Sequence, residues 1–273
     1  MNITKAIIPV AGWGTRRLPI TKSIEKCMLP IGNRPVVDYV VQDCIKAGIT
    51  DIYFIIGEQS TQLRDYYRSN NDLEDYLIRN GKEDMLPLIA PSKIKMHYIT
   101  QPSYGKYGTA IPVSLVVPLL KEGESAVVLM GDDCIYRKDD DGSEVARLIE
   151  AAGDDCSMLG ITISPQETEK YGVIKVNKKG EFVKIVEKPK PKDAPSDMAN
   201  VSKYVFNYRA LKIIEQYAEK DKQKGEYYIT DPINKYITKG GRLKVIKAKG
   251  QYLDSGTVEG WLKANQIVIG DMK

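Results

Sequence analysis

Apolar and polar positions fall into short blocks along the chain. Ala6-Ile7-Ile8-Pro9-Val10 and Asp51–Gly57 (DIYFIIG) are nearly continuous apolar runs of strand length, the pattern of strands buried on both faces. Between them Val36, Val37, Val40, Val41, Cys44 and Ile45 recur at helical spacing, and Gly48 stands where a helix C-cap falls. Strand, helix and strand joined by short links predict a parallel βαβ unit. Residues 59–89 are polar, with partial apolar faces from Leu73, Leu77, Met85 and Leu86, and predict helices added onto the sheet. A strand returns at 94–99, an apolar segment fills 110–120, and 126–130 is the most apolar strand of all.

Further strands are predicted at 156–163, 173–176, 182–187, 201–206 and 243–247, with 173–176 and 182–187 forming a hairpin about the turn 177–180. Ser164-Pro165-Gln166-Glu167 is a capping box that opens a short helix ending near Tyr171-Gly172. Residues 188–200 hold three prolines and read as a surface loop inside one domain. Helices are predicted at 209–219 and at 229–239, the latter capped by Thr230 or Asp231 with Pro232 at its first position. The segment 252–257 reads as a turn into a last helix presenting Val258, Trp261 and Leu262 on one face.

Composition narrows the picture. The 273 residues are 42% hydrophobic and 28% charged, which fits a globular chain with a sizeable core. The net charge of +4 comes with no aromatic-interleaved basic patch, so nucleic acid is not expected as a partner, whereas small anions are. No apolar run reaches the ~18 residues a membrane span needs. The chain runs directly into a strand, so no cleaved signal peptide is expected. Cys27, Cys44, Cys134 and Cys156 lack metal-like spacing and predict free thiols in a reducing cytoplasm. His97 is the sole histidine. That excludes a zinc site of several histidines, and its strand-like surroundings favour a structural role.

Candidate chemistry gathers at strand ends. The first strand runs into Ala11-Gly12-Trp13-Gly14-Thr15, then Arg16 and Arg17, with Lys26 ten residues after Arg16. Small residues let backbone N–H groups approach a ligand, and the cations suit phosphate oxygens, so a nucleoside triphosphate across the strand end is the immediate reading. No Gly-Lys-Ser/Thr follows, and Arg17 stands where a dinucleotide fingerprint needs its third glycine. An ordinary tight turn fits the same glycines. Gln101 opens a second glycine-containing loop and suits a base edge, or is a plain loop residue. Asp132 and Asp133 follow the strand at 126–130, where open α/β sheets place ligands, and suggest Mg²⁺; a turn or helix-cap acid is the alternative. Asp139-Asp140-Asp141 reads as a solvated turn. Asp254 stands at a loop-to-helix boundary, where capping is the common use of an acid.

Taken in order, AGWGTR (11–16), EKCMLP (25–30), QPSYGKYGTA (101–110), GDD (131–133), VEKP (186–189) and YLDSG (252–256) resemble the sugar-1-phosphate nucleotidylyltransferase family over essentially the whole chain. VAGWGTRRLP, DLEDYL (72–77), YGVIKV (171–176) and ITD (229–231) place the resemblance in its uridylyltransferase branch. The resemblance implies an α/β fold, with a Rossmann-like, mixed, mostly parallel central sheet flanked by helices. It implies one domain, 1–273, with a nucleotide-binding part at 1–135 and a sugar-binding part at 136–273. The implied reaction is UTP plus glucose 1-phosphate giving UDP-glucose and pyrophosphate, with Mg²⁺ as cofactor. Arg16 and Lys26 are then catalytic. Ala11, Gly12, Gly14, Gln101 and Gly108 bind the nucleotide, and Asp132 and Asp254 hold the metal. Gly172, Glu187, Lys188, Asn200 and Val201 meet the sugar and its phosphate. A homodimer or homotetramer is implied as well. Glu25 replaces a common proline, Cys27 an acid and Ser202 a glycine, while Gly131-Asp132-Asp133 is closer to thymidylyltransferase relatives. These positions bear on which nucleotide and sugar are preferred. The same chemistry with dTTP, CTP or another sugar phosphate is the nearest alternative. A weakly active regulatory binder of sugar nucleotides and a hydride-transfer enzyme stand further off.

Overall fold

Ala6, Ile7 and Ile8 have no exposed surface because their strand lies in the middle of a sheet. The computed structural model describes residues 3–138, 142–220 and 225–272; the turn expected at Asp139-Asp140-Asp141 lies outside them. In chain order the strands are β1 (Lys5–Pro9), β2 (Pro30–Ile31), β3 (Arg34–Pro35), β4 (Asp51–Gly57), β5 (Lys95–Gln101), β6 (Ala126–Leu129) and β7 (Asp133–Tyr136). They continue as β8 (Cys156–Thr162), β9 (Gly172–Val176), β10 (Phe182–Glu187), β11 (Met198–Phe206), β12 (Leu243–Lys247) and β13 (Gln251–Asp254).

β6, β1, β4 and β5 lie side by side and run parallel, so their carboxyl ends share one edge. β11 continues the sheet antiparallel to β6, to β9 and to β8, and β12 closes it parallel to β8. The sheet is thus mixed, as expected. Alternating side chains feed two cores, one on each face. Ile7, Ile55, Val128 and Phe206 pack with the helices Tyr208–Glu219 and Thr230–Thr238. Ile8, Phe54, Val127 and Val205 pack with Val36–Lys46, Glu144–Ala152 and Val258–Asp271. Each core draws on residues before and after 135.

Some local expectations change. The segment 252–257 is not simply a turn: Gln251–Asp254 is a strand, and it pairs antiparallel with β7, itself unforeseen. The last helix buries Ala264 and Val268, while Val258 and Leu262 face outward at 48% and 49% exposure. Trp261 orients it by donating its indole N–H to the Pro30 carbonyl at 2.6 Å. Thr230 and Asp231 are the first two residues of their helix and supply no cap. The elaboration at 59–89 is helical at Gln62–Tyr67, Asn71–Arg79 and Leu86–Ile89.

Candidate active site

Beyond β1 the chain turns at Gly14, whose φ of 64° is left-handed and whose carbonyl accepts from the Arg17 N–H at 2.8 Å and the Thr21 hydroxyl at 2.9 Å. A side chain there would also press on Lys26, whose Cβ lies 3.1 Å from the position of an added Cβ. The two arginines part company. Arg17 is buried, donates to the carbonyls of Ser255 at 2.7 Å and Thr257 at 2.9 Å, and its guanidinium lies 5.1 Å from the centre of the Trp261 ring. It is a clasp between the glycine turn and the segment after β13. Arg16 is exposed and reaches the same segment, its guanidinium beside Gly256 and the Asp254 carboxylate.

Lys26 forms an ion pair with Asp132. Burial pushes the Asp132 carboxyl up, but the Lys26 charge outweighs it and leaves the group below the ordinary carboxylate range. The pairing of β7 with β13 sets Asp254 directly across from Asp133, and so brings Asp254 to the turn that carries Asp132. The Ser255 hydroxyl donates to the Asp132 carbonyl at 2.6 Å, and the Gly256 N–H donates to the Asp254 carboxylate at 2.7 Å. Asp133 points away into the protein. It pairs with buried Lys203 and accepts from the Tyr252 hydroxyl at 3.1 Å. Burial raises its carboxyl to about 6, opposed by the Lys203 charge.

A cavity of about 530 Å³ opens at the carboxyl ends of β1, β4, β5 and β6. Ala11, Gly12, Lys26, Gln101, Gly108 and Asp132 line it. Gln101 ends β5, in register with Gly57 at the end of β4. Gly108 has φ 118°, and an added Cβ would lie 2.5 Å from the Tyr227 nitrogen, so only glycine fits where this loop meets residues 226–229. The Ala110 N–H to Tyr227 carbonyl bond at 2.9 Å fixes that contact. Gly14 stands beside Lys26, and Arg16 beside Gly256 and Asp254; these three candidates, Gly14, Arg16 and Asp254, lie off the cavity wall.

The residues expected to meet the sugar form a separate group that does not line this cavity. Gly172 and Glu187 are cross-strand partners, and a side chain at Gly172 would crowd the Glu187 carboxylate at 3.1 Å. Loss of surrounding water holds the Glu187 carboxyl above its usual range, opposed by a hydrogen bond with Thr230. Lys188 follows with φ 45° and donates its N–H to the Tyr171 carbonyl at 3.0 Å. Asn200 is buried and engaged with the Tyr204 hydroxyl at 2.6 Å and the Ser202 N–H at 3.0 Å. The Val201 side chain lies in the core, which leaves only its backbone for a ligand. Ser202 has φ 52°, a conformation that explains the glycine expected there. Tyr171, edge-on to Tyr252 at 6.3 Å, joins this group to the aspartates; burial and the nearby Asp254 charge push its hydroxyl up to about 12.

Glu25 accepts hydrogen bonds from the Ser60 hydroxyl at 2.6 Å and from the N–H groups of Thr61 and Gln62 at 2.9 and 2.8 Å. It binds the segment that carries Lys26 to the start of a helix on the same cavity wall. Arg17, Lys203, Tyr252 and Ser255 were not singled out as supports by sequence reasoning, since each acts on a distant partner; the acidic GDD and YLDSG motifs were the only signal. Among the described residues no group of three His, Cys, Asp or Glu side chains is arranged for a metal. Two hard carboxylates with cations alongside nonetheless fit Mg²⁺, which draws its other ligands from phosphates and water.

A glycine turn, cations and aspartates thus gather where open α/β sheets place their ligands, beyond the carboxyl ends of the parallel strands. The chain belongs to the nucleotidyl transferase family, whose sequence model matches residues 5–269. It is 33% identical to the UTP–glucose-1-phosphate uridylyltransferase of Pseudomonas aeruginosa, over 97% of this chain and 95% of that one. Among solved structures it is similar to the UTP-bound UGPase from Acinetobacter baumannii, with a TM-score of 0.84 at 26% identity over 98% of this chain and 93% of that one. It is also similar to a UDP-glucose pyrophosphorylase complexed with UDP-glucose, with a TM-score of 0.81 at 28% identity over 98% and 99% of the two chains.

Proposed function

We propose that this nucleotidyltransferase transfers the uridylyl group of UTP to glucose 1-phosphate, giving UDP-glucose and pyrophosphate. The observation that carries the reading is the Lys26–Asp132 ion pair on the wall of a cavity that Gln101 and Gly108 also line, with Asp254 brought to the adjoining turn by the pairing of β7 with β13 and Arg16 beside Asp254. The uridylyltransferase and its UTP and UDP-glucose complexes among the relatives support the choice of substrates. A sugar-phosphate oxygen attacks the α-phosphorus, the bond to the β-phosphate oxygen breaks, and pyrophosphate leaves with both electrons of that bond.

Each side chain has a task in that step. The backbone of Ala11, Gly12 and Gly14 approaches the nucleotide where no side chain intervenes, and Gln101 reads the base. Lys26, held by Asp132 before substrate arrives, turns to the phosphates, and Arg16 stabilises the departing pyrophosphate. Lys188 holds the sugar phosphate, and Glu187 beside Gly172 accepts from sugar hydroxyls. Asp132 and Asp254 would hold Mg²⁺, which when bound neutralises charge on the reacting phosphates. The nucleotide is served mainly by residues 1–135 and the sugar by 136–273.

A pyrophosphate-release assay with glucose 1-phosphate and Mg²⁺, offering UTP, dTTP, CTP, ATP and GTP in parallel, tests the reading. Strong preference for UTP is the expected result. Preference for dTTP or CTP keeps the mechanism and reassigns the nucleotide. Silence with every nucleotide and every sugar 1-phosphate overturns the proposal.

A further inference from the structure

Asp133 adjoins Asp132 in sequence and would ordinarily be counted as a third carboxylate for a metal. Its surroundings give it other work. One carboxylate oxygen is taken by the Lys203 ammonium and the other by the Tyr252 hydroxyl. Lys203 is 4% exposed, and it also reaches the Met130 carbonyl at 3.5 Å and the Asp133 carbonyl at 3.3 Å. It therefore brackets the turn Met130-Gly131-Asp132-Asp133 from both sides of Asp132. Gly131 packs tightly within that turn: an added Cβ would lie 2.5 Å from a Val10 methyl. Tyr252 and Ser255 grip the same turn from the other strand, at the Asp133 carboxylate and the Asp132 carbonyl. Asp254 stands between those two residues. The strand that carries one metal-directed aspartate thus holds the turn that carries the other.

We infer that Lys203, Asp133 and Tyr252 form a positioning device that sets how Asp132 and Asp254 stand to each other, and that Asp133 is not itself a metal ligand. The inference rests on the proposed function for the assignment of a divalent cation to Asp132 and Asp254. A buried ammonium and a buried carboxylate are costly apart and tolerable together, so each holds the other in place beside Asp132. Support of this kind typically changes metal affinity without touching the ion.

The test measures binding of Mn²⁺ alone by electron paramagnetic resonance, beside Mg²⁺ dependence and the UTP KM of turnover. Lys203→Met leaves a buried carboxylate unpaired and is expected to unfold readily. The decisive variants are therefore Tyr252→Phe and the double variant Asp133→Asn with Lys203→Met, which removes both charges. Both are expected to fold, to bind Mn²⁺ about tenfold more weakly and to need correspondingly more Mg²⁺. The UTP KM at saturating Mg²⁺ should move less than about twofold, because ground-state contacts to the nucleotide are untouched. If the double variant fails to fold, Tyr252→Phe alone decides. Folded variants with wild-type Mn²⁺ affinity overturn the inference. So does Asp133→Asn alone losing Mn²⁺ as completely as Asp132→Asn, which would make Asp133 a ligand, and so does wild-type protein that binds no Mn²⁺. Wild-type protein that binds Mn²⁺ but releases no pyrophosphate overturns the proposed function and leaves the positioning device standing.

Discussion

A Cβ added at Gly12 meets nothing within 4 Å, whereas one at Gly108 would lie 2.5 Å from the Tyr227 nitrogen. The two glycines share a cavity wall and predict opposite defects. Gly12→Ala should fold with wild-type stability, within about 0.5 kcal/mol, and bind UTP more weakly because the methyl fills ligand space. Gly108→Ala should lose about 1–3 kcal/mol from backbone strain and contact. Urea unfolding together with UTP titration separates the two; a stable Gly108→Ala would show that the loop relaxes freely. His97 illustrates a residue whose plain reading holds. It stacks on Tyr53 at 4.5 Å, and its Nε2 lies 2.9 Å from Asp51. That bond holds the Asp51 carboxyl below its ordinary value of 3.8. A depressed carboxyl in the folded state adds stability above the unfolded value, and that stability is lost as pH falls through the folded value. The urea-midpoint gap between wild type and His97→Phe, which keeps the stacking, should therefore be present at pH 5 and narrow below 3.8. A gap unchanged at pH 3 would contradict this.

Elements differed in how far the chain revealed them. β1, β4 and β6 were legible because strands buried on both faces are apolar without interruption. β7 and β13 were not. Each is four residues long and carries an aspartate, and neither is a strand without the other. Their pairing is nonetheless what carries Asp254 to the turn of Asp132, so the two aspartates were legible as candidates and their meeting was not. The last helix shows a related limit. Val258, Trp261 and Leu262 share a face as well as Trp261, Ala264 and Val268 do, and Asn265, bonded to Gly32 at 2.9 Å and to Pro30 at 3.2 Å, turns the second set inward. The helix Gln62–Tyr67 begins at Thr61, which offers no side-chain cap, while Glu25 supplies two acceptor contacts from a distant turn. Glu25→Ala should therefore cost about 1 kcal/mol, the usual worth of a cap, and Thr61→Ala far less. Equal losses in chemical denaturation would refute the assignment of the cap to Glu25.

At the scale of the whole molecule, both cores cross residue 135. Val128 packs with Phe206 on one face, and Val127 with Val205 on the other. The two parts proposed to serve nucleotide and sugar therefore share both cores, and unfolding should be a single transition. Far-UV dichroism and tryptophan fluorescence should give the same urea midpoint. Two separated midpoints would mean that the halves fold as independent units.

The clasp of Arg17 joins residues 238 and 240 positions apart. Translation makes the glycine turn near the beginning and its anchor near the end. A nascent chain that has emerged through residue 247 contains every strand of the large sheet, yet lacks Asp254 and the carbonyls that seat Arg17. A chain cut there would keep those strands and lose the Arg17 clasp together with one of the two aspartates proposed to hold the metal. Truncation there should therefore cost the proposed activity before it costs the large sheet.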